Sequence, residues 1–253
     1  MSGVQNLPQW DINETRNLVH ARYGAGQLTL LRPALRAVNY RLEHARYHHR
    51  EYLRVVESHI ETRLKTGDDI WWMLAPANDE EVHSHGRFYV ECEAHLYACV
   101  QAIHAVADNL AHVVYYVLGF NVTNSPKLHK LNLGQLGEHI SELRQSDASL
   151  ATLADLLNGL NDSTVFKALN NLVNQLKHHG GPAIEVALQP SAEQAYEVRF
   201  AQFLRGKRWR AAVAVDQFLM NSFRVLNVAV VDVGIALNTC LQSASAPESE
   251  KPR

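Results

Sequence analysis

One stretch of the sequence, Glu91 to Leu118, limits the possible folds more than any other. It is an almost uninterrupted apolar pattern of the helical type, yet it carries polar side chains at steps of three and four residues. These side chains are Glu93, Tyr97, Gln101, His104, Asp108 and His112. Because a helix turns about 100° per residue, all six fall on one stripe of a helix whose other faces are apolar. Burying such a group without a partner costs about 1–3 kcal/mol, so the stripe must meet polar side chains, water, a metal or a substrate.

A second polar patch, at the end of a later helix, is the predicted partner of this stripe. Its residues are Asn170, Asn171, Asn174, Lys177, His178 and His179. Gly180, Gly181 and Pro182 follow directly and are expected to terminate the helix. The two segments together predict a site, but they do not name a reaction.

Composition narrows the class of protein. With 253 residues, 47% of them hydrophobic, the chain can bury one large core. A net charge of -2 argues against a generally basic coat for nucleic acid, so any such contact must be a local patch. Of the three cysteines, Cys92, Cys99 and Cys240, the first two lie seven residues apart on the long apolar helix and are expected to be reduced core residues, which suits a cytoplasmic protein. The first residues do not resemble a signal peptide, and no run reaches about 18 apolar residues, so no membrane association is predicted.

The helical patterns predict a mainly α fold, a bundle with long antiparallel helices. We expect a short helix from Asp11 closed by Gly24, a long one opened by Pro33 and running to about Lys65, and a loop at 68–76 pinned by aromatic burial. A second long helix is expected to start at a cap on Asp79 and to end at Gly119, before a loop at 120–126. Shorter helices are predicted at 133–143, 149–157 and 163–178, and a last one at 216–241.

Before the last helix the periodicity changes from helical to alternating. Tyr196 to Leu204 reads as a strand, and Trp209 to Val215 can return antiparallel to it. Ile184 to Leu188 is a candidate third strand. The predicted organisation is therefore a single domain over 1–242, with a β-hairpin insertion at about 183–215 and a disordered tail at 243–253.

This order of elements resembles the HEPN-like helical domains of prokaryotic toxin–antitoxin and defence systems. The resemblance rests on the long helix with His104-Ala-Val-Ala-Asp108-Asn-Leu-Ala and on the later run Asn170-Asn-Leu-Val-Asn174-Gln-Leu-Lys177-His178-His179-Gly180. Family members that cleave RNA carry an Arg four to six residues before a His. Here His178 or His179 matches the histidine, whereas Leu172, Val173 and Asn174 stand where the arginine would be. The resemblance thus implies an RNA-directed protein with a degenerate catalytic motif, a homodimer, and a possible partner protein of the defence or antitoxin type.

A metal-independent ribonuclease needs a base, an acid and a cation near the phosphate, and it needs no cofactor. His178, Lys177 and Asn174 on the later helix, with His104 and Asp108 on the stripe, are the predicted catalytic residues. The same histidine and lysine also suit a structural role, because cations are favoured at a helix C-terminus.

A metal-dependent hydrolase is the competing hypothesis. His104, Asp108 and His112 repeat every four residues and point one way, as metal ligands on a helix do. A metal bound there would activate a water molecule for hydrolysis.

The predicted nucleic-acid-binding residues lie at the turn of the hairpin. They are Arg205, Lys207, Arg208, Trp209 and Arg210. Arginines around an aromatic side chain suit phosphate contact and base stacking. The arginines of the first long helix are balanced by glutamates, so that helix reads more simply as a solvated face. A catalytically inactive module that binds nucleic acid or protein therefore remains an alternative to the ribonuclease.

Overall fold

The computed structural model describes residues 8–65, 72, 76–123, 125–188 and 196–243. Its helices are α1 (Ile12–Val56), α2 (Thr62–Lys65), α3 (Asp79–Val117), α4 (Phe120–Thr123), α5 (Leu133–Leu143), α6 (Ala151–Asp162), α7 (Thr164–His179) and α8 (Val215–Ser243). The strands are β1 (Ile184–Leu188), β2 (Tyr196–Phe200), β3 (Phe203–Arg205), β4 (Arg208–Arg210) and β5 (Val213–Ala214). The prediction of a mainly α fold with a small antiparallel β segment before the last helix is confirmed.

Helix α1 is broken once, at Gly24, and then resumes earlier than expected. Gly24 has φ 80 and ψ -178, so the backbone leaves the helical region there, as predicted. The helix resumes immediately, and Pro33 lies inside it rather than at its start, so that part of the prediction is wrong. A proline inside a helix costs about 3 kcal/mol because it removes one backbone hydrogen bond. Pro33 is exposed, while Leu31 and Leu35 on the opposite side are buried, and this packing outweighs the loss.

After Val56 the chain forms one π-helical turn, Glu57–Glu61, and then α2. The predicted end of this long helical region at about Lys65 agrees with α2. Gly67, which follows Lys65 by two residues and is the stop that the sequence predicts for this helix, lies outside the described residues. Of the predicted aromatic loop at 68–76, only Trp72 and Pro76 are described.

Helix α3 begins and ends at identifiable caps. The side-chain Oδ1 of Asn78 accepts a hydrogen bond from the backbone N–H of Glu81 at 2.9 Å, so Asn78 is the cap and Asp79 is the first helical residue. The predicted cap at Asp79 is therefore wrong by one position. Gly119 has φ 71, which confirms the predicted left-handed stop. Tyr23 packs over this glycine and donates its hydroxyl to the carbonyl of Leu118 at 3.0 Å.

The region between α3 and the sheet contains shorter helices. α5 agrees with its predicted bounds, and its cap is Asn132, whose side chain accepts from the N–H of Gln135 at 3.0 Å. α6 runs five residues beyond its predicted end at Leu157. The loop predicted at 120–126 contains the short helix α4. Asn158 of α6 joins α5 by donating to Ser141 Oγ at 2.7 Å.

The β segment forms two separate sheets. β2 pairs antiparallel with both β1 and β5, which gives the order β1-β2-β5, and β3 pairs with β4 in a two-stranded hairpin. The third strand predicted at 184–188 is confirmed as β1. The single strand predicted over Tyr196 to Leu204 is instead broken at Ala201, whose N–H donates to the carbonyl of Ala183 at 2.8 Å. The β3–β4 hairpin is therefore an excursion of the chain between β2 and β5.

Helix α8 agrees with the last predicted helix. It is long and apolar enough to span a membrane, because its most apolar segment of 18 residues has a mean hydropathy of 1.6. This segment is 56% buried within the protein, and the core helix of a soluble protein can have the same length and composition. The predicted tail at 243–253 lies outside the described residues, apart from Ser243 itself at the end of α8.

The described chain divides into two compact units. The first unit contains residues 8–39, 105–166 and 224–243, and the second contains residues 40–104 and 167–223. The single domain that the sequence predicts over residues 1–242 remains a prediction, because this division into units does not test it. Buried residues of the first unit include Val19, Leu31, Leu110, Leu136, Leu153 and Leu237. Those of the second unit include Tyr52, Ile60, Leu96, Ile103, Leu169 and Phe200.

Candidate nucleic-acid interface

The part of the predicted stripe that belongs to the second unit is partly exposed. Gln101 faces solvent, and Glu93, Tyr97 and His104 are half-buried. The hydroxyl of Tyr97 donates to the carbonyl of Pro182 at 2.6 Å, just beyond α7. Burial, with Glu93 beside it, raises the pKa of Tyr97. Tyr97 is therefore a neutral packing residue at the end of α7.

His104 contacts the second polar patch, which confirms the predicted partnership at that position. Its Nε2 lies 3.3 Å from Oδ1 of Asn170. The same oxygen accepts a hydrogen bond from Nδ2 of Asn174 at 2.8 Å. Because an amide oxygen only accepts, the contact requires the proton of His104 to be on Nε2. His104 thus donates a hydrogen bond to Asn170 of α7. Asn174 orients the side-chain amide of Asn170 that accepts this bond.

The end of α7 carries one lysine and two histidines. Lys177, His178 and His179 are exposed, and the two imidazole ring centroids are 6.4 Å apart. Gly180 has φ 76 and ends the helix, as expected. His178 follows Asn170 by eight residues, so it lies about 12 Å further along the axis. Within one chain, His104 therefore contacts α7 at a position well before His178 along the helix axis.

The β3–β4 hairpin is a cationic element. Its sequence from Phe203 to Arg210 contains four cations and no acid. Its turn is formed by Gly206, with φ 61, and Lys207. Leu204 pairs with Trp209, and these two side chains are 48% and 66% exposed. The hairpin therefore presents an aromatic side chain to solvent beside a basic turn.

Register separates the aromatic side chain from the arginines of the strands. Arg205 pairs with Arg208, and Phe203 pairs with Arg210, so these residues share the face opposite to Trp209. Nε of Arg210 is buried and has no hydrogen-bond partner among the described residues. The sequence pattern suggested one mixed cluster of arginine and tryptophan, but alternation along the strands gives two faces.

One hydrogen bond joins the hairpin to α7. Nε of Arg205 donates to Oδ1 of Asn171 at 3.2 Å. His178 follows Asn171 by seven residues, so it lies on the same face of α7 about 10.5 Å along the axis. No acid occurs between Thr164 and His179. We call this basic group, formed by Lys177, His178, Arg205, Lys207 and Arg208, the α7–hairpin surface.

The arginines of α1 offer a weaker surface. Arg46 forms an ion pair with Glu43 at 2.6 Å, and Arg54 forms one with Glu51 at 3.0 Å. Both pairs lie along the same helix face and neutralise part of its charge. This supports the interpretation of that face as a solvated one.

The predicted metal ligands are engaged by hydrogen bonds. Nδ1 of His112 donates to the carbonyl of Asp108 at 2.8 Å, within the same helix. His104 contacts Asn170, as described above. Across the described parts of the chain, no three His, Cys, Asp or Glu side chains come together in a way that could hold a metal ion.

Two histidine pairs were not anticipated from the sequence. His48 Nδ1 lies 3.1 Å from His95 Nδ1, and burial, together with His95, lowers the pKa of His48. His59 and His85 have ring centroids 5.3 Å apart, and each has a buried Nε2 with no hydrogen-bond partner among the described residues. The residues of each pair are far apart in sequence, so no local spacing could have revealed them.

The His59–His85 pair lies in an aromatic cluster with Trp72, whose ring is 5.2 Å and 4.7 Å from the two imidazoles. The guanidinium carbon Cζ of Arg63 lies 3.7 Å from the centroid of the Trp72 ring. Arg63 also forms an ion pair with Glu81, at an N–O distance of 3.2 Å. An open cleft of about 830 Å³ adjoins it, lined by Ser58, His59, Glu80, His83, Ser84 and Arg87 among others. Trp72 is half-buried, and its ring contacts are these two histidines and Arg63.

Comparison with protein-family models, with curated proteins and with solved structures gives no match for this chain. Its function must therefore be argued from the geometry of the side chains.

Proposed function

We propose that the protein binds RNA through the α7–hairpin surface. The observation that carries this proposal is the hydrogen bond from Arg205 to Asn171, because it joins the basic hairpin to the helix face that bears His178. Lys207 and Arg208 are exposed and have no acidic neighbour within the hairpin sequence, so both are available to phosphate. The asparagines of α7 add neutral donors and acceptors for sugar and base edges.

Trp209 adds a stacking surface to these cations. Its exposed ring lies on the hairpin face opposite to Arg205 and Arg208. A single-stranded nucleic acid can pass over the hairpin, with a base stacked on Trp209 and the backbone held at the basic turn. Such stacking tolerates any base, so we expect weak dependence on RNA sequence.

Binding can be measured by fluorescence anisotropy with a labelled single-stranded RNA. The double variant Lys207→Glu and Arg208→Glu is expected to weaken binding about tenfold or more and to lower the slope of log K against log salt by about 1.4. The matched control is Lys127→Glu with Lys130→Glu, which changes net charge equally at two exposed lysines in another part of the chain. Trp209→Ala should lose about 1–3 kcal/mol of binding free energy through loss of stacking.

Two outcomes would refute the proposal. Equal losses in the test and control variants would mean that only overall charge matters. RNA affinity below the non-specific level of about 10⁻⁴ M at physiological salt would remove RNA as the ligand.

A metal-independent endoribonuclease is the second candidate function. It is favoured by the adjacent imidazoles of His178 and His179 at the end of α7, beside the cation Lys177. One imidazole would take the proton of the 2′-hydroxyl and the other would protonate the leaving oxygen, with Lys177 near the phosphate. Asn170, which His104 contacts, lies about 12 Å along the axis of α7 from His178, and this separation keeps His104 and His178 from acting on one phosphate within a single chain. His104 would then act in positioning, through Asn170 and Asn174.

Cleavage can be tested with total RNA and tRNA, with and without chelator. Wild type should cleave in chelator, and His178→Ala should not, whereas His129→Ala at another exposed histidine should cleave normally. Cleavage lost on adding chelator would point instead to a metal-dependent reaction. Absence of cleavage in every condition would leave RNA binding as the function.

A further inference from the structure

Helix α8 has an exposed apolar face within the first unit. Val228 is 55% exposed and Ile235 is 37% exposed, and Val225 and Val231 on its flanks are half-buried. An isolated exposed valine needs no explanation, but four apolar residues on one helix face form a contiguous strip.

This face borders an open groove of about 400 Å³ between α8 and α6. The groove is lined by Leu156, Gly159 and Leu160 of α6 and by Val225, Val228 and Ala229 of α8. Gly159 is exposed, and a Cβ added to it would have no atom within 4 Å. Bare helix backbone beside an apolar strip lets another helix approach closely.

Two opposite charges stand symmetrically on the same face. Arg224 precedes Val228 by four residues, and Asp232 follows it by four. Neither side chain forms an ion pair with any part of the chain that the structure describes. At eight residues apart, about 12 Å along the helix, they are too distant to pair with each other.

We propose that this face is the interface of a homodimer in which two copies of α8 pair antiparallel about a two-fold axis at Val228. In such a pair, a residue that precedes Val228 by a given number of positions faces, in the other copy, the residue that follows Val228 by the same number of positions. Arg224 then faces the partner's Asp232, in both directions, and Val225 faces the partner's Val231. Val228 packs on itself at the axis. At these five positions the helix is therefore complementary to its own reverse, which is what a two-fold interface requires.

The charge pattern selects a second copy over a lipid surface as the occupant. Arg224 and Asp232 flank the apolar centre, where acyl chains would leave both charges without partners. A second copy pairs both of them and buries the valines between them. This inference uses no residue of the α7–hairpin surface, so it stands or falls separately from RNA binding.

A charge-exchange series tests the pairing. Dimer dissociation constants would be measured by sedimentation velocity over about 1–100 μM protein. Arg224→Asp and Asp232→Arg each place like charges opposite one another twice per dimer, so each should weaken dimerisation about tenfold or more. The double variant restores both pairs in reversed order and should return to within about threefold of wild type. Arg41→Asp, at an exposed arginine of α1, is the control and should dimerise normally.

Each other result overturns the proposal. A monomeric wild type refutes the dimer, and cosedimentation of that monomer with phosphatidylcholine vesicles would assign the face to lipid. Single variants that dimerise as wild type does would put the interface elsewhere. A double variant as weak as the singles, with the helical circular dichroism spectrum of the wild type, would refute the antiparallel pairing. RNA anisotropy on the same variants keeps this outcome separate from the RNA-binding proposal.

Discussion

Acidification is expected to destabilise the second unit through His59. This imidazole stacks on Phe88, with ring centroids 4.5 Å apart, and contacts Trp72 and His85. Burial, reinforced by His85 and Arg63, lowers the pKa of His59 from 6.5 to about 4. Because the folded state disfavours the protonated ring, the unfolded state binds the proton more tightly.

The size of the effect follows from this difference in pKa. The contribution of His59 to stability is fully present above about pH 6.5, and it is lost as pH falls toward about 4. Between pH 7 and pH 5, linkage gives a loss of about 2 kcal/mol if the whole pKa difference counts. The ring is only half-buried, so solvent screening reduces the expected loss to about 1 kcal/mol. Burial also lowers the pKa of His85, so protonation of His85 is expected to reduce stability in the same direction of pH.

Urea unfolding at pH 7 and pH 5 measures this loss. His59→Phe keeps a ring against Phe88 but cannot be protonated, so wild type should lose about 1 kcal/mol more than this variant between the two pH values. Hydrogen bonds from the backbone of Ala77 and from Arg63 lower the pKa of Glu81, so this carboxylate is protonated at lower pH than an ordinary glutamate. His129→Phe, at an exposed site, should behave as wild type does.

The decisive quantity is the difference between the two pH-dependent losses. If His59→Phe and wild type lose the same free energy of unfolding between pH 7 and pH 5, the argument for a neutral, buried His59 fails. A wild type that gains stability at pH 5 would contradict even its sign.

Two further substitutions test packing at single residues. Gly181→Ala should lower stability by about 1 kcal/mol, because the new Cβ would lie 2.2 Å from Cζ of Tyr97 and displace its hydroxyl from a backbone carbonyl. An unchanged melting temperature would contradict that contact. Asn238→Ala should cost about 2 kcal/mol, since it removes the buried partner that lies 2.6 Å from Thr15 Oγ1. Thr239→Ala, at the exposed neighbouring position, should cost far less when both are compared by urea unfolding.

Helices and their ends were predicted well because their signals are local. Gly119 and Gly180 each adopt a positive φ where a helix ends, and Gly24 does so at the break within α1. The change from helical to alternating periodicity after Pro182 predicted the β segment for the same reason. Pro33 misled the prediction because its local penalty is smaller than the packing of the helix face opposite to it.

The candidate interface could be predicted only in part. His104 and Asn170 were expected to meet, since each interrupts an apolar pattern and polar groups at such positions need partners. The contact between Arg205 and Asn171 was not expected, because it depends on the register of a short hairpin and on where that hairpin leaves the sheet. A shift of one residue in that register would have exchanged the positions of Trp209 and the arginines.

By itself, the sequence determined the class of fold, the ends of most helices and the residues that can carry charge or chemistry, because these depend on neighbours a few residues away. Tertiary structure decided which of those residues meet. The ring contact of His59 with His85 joins segments that no local rule relates. Such contacts arise from the packing of whole helix faces, whose energy is summed over many side chains and cannot be assigned to any single stretch of sequence.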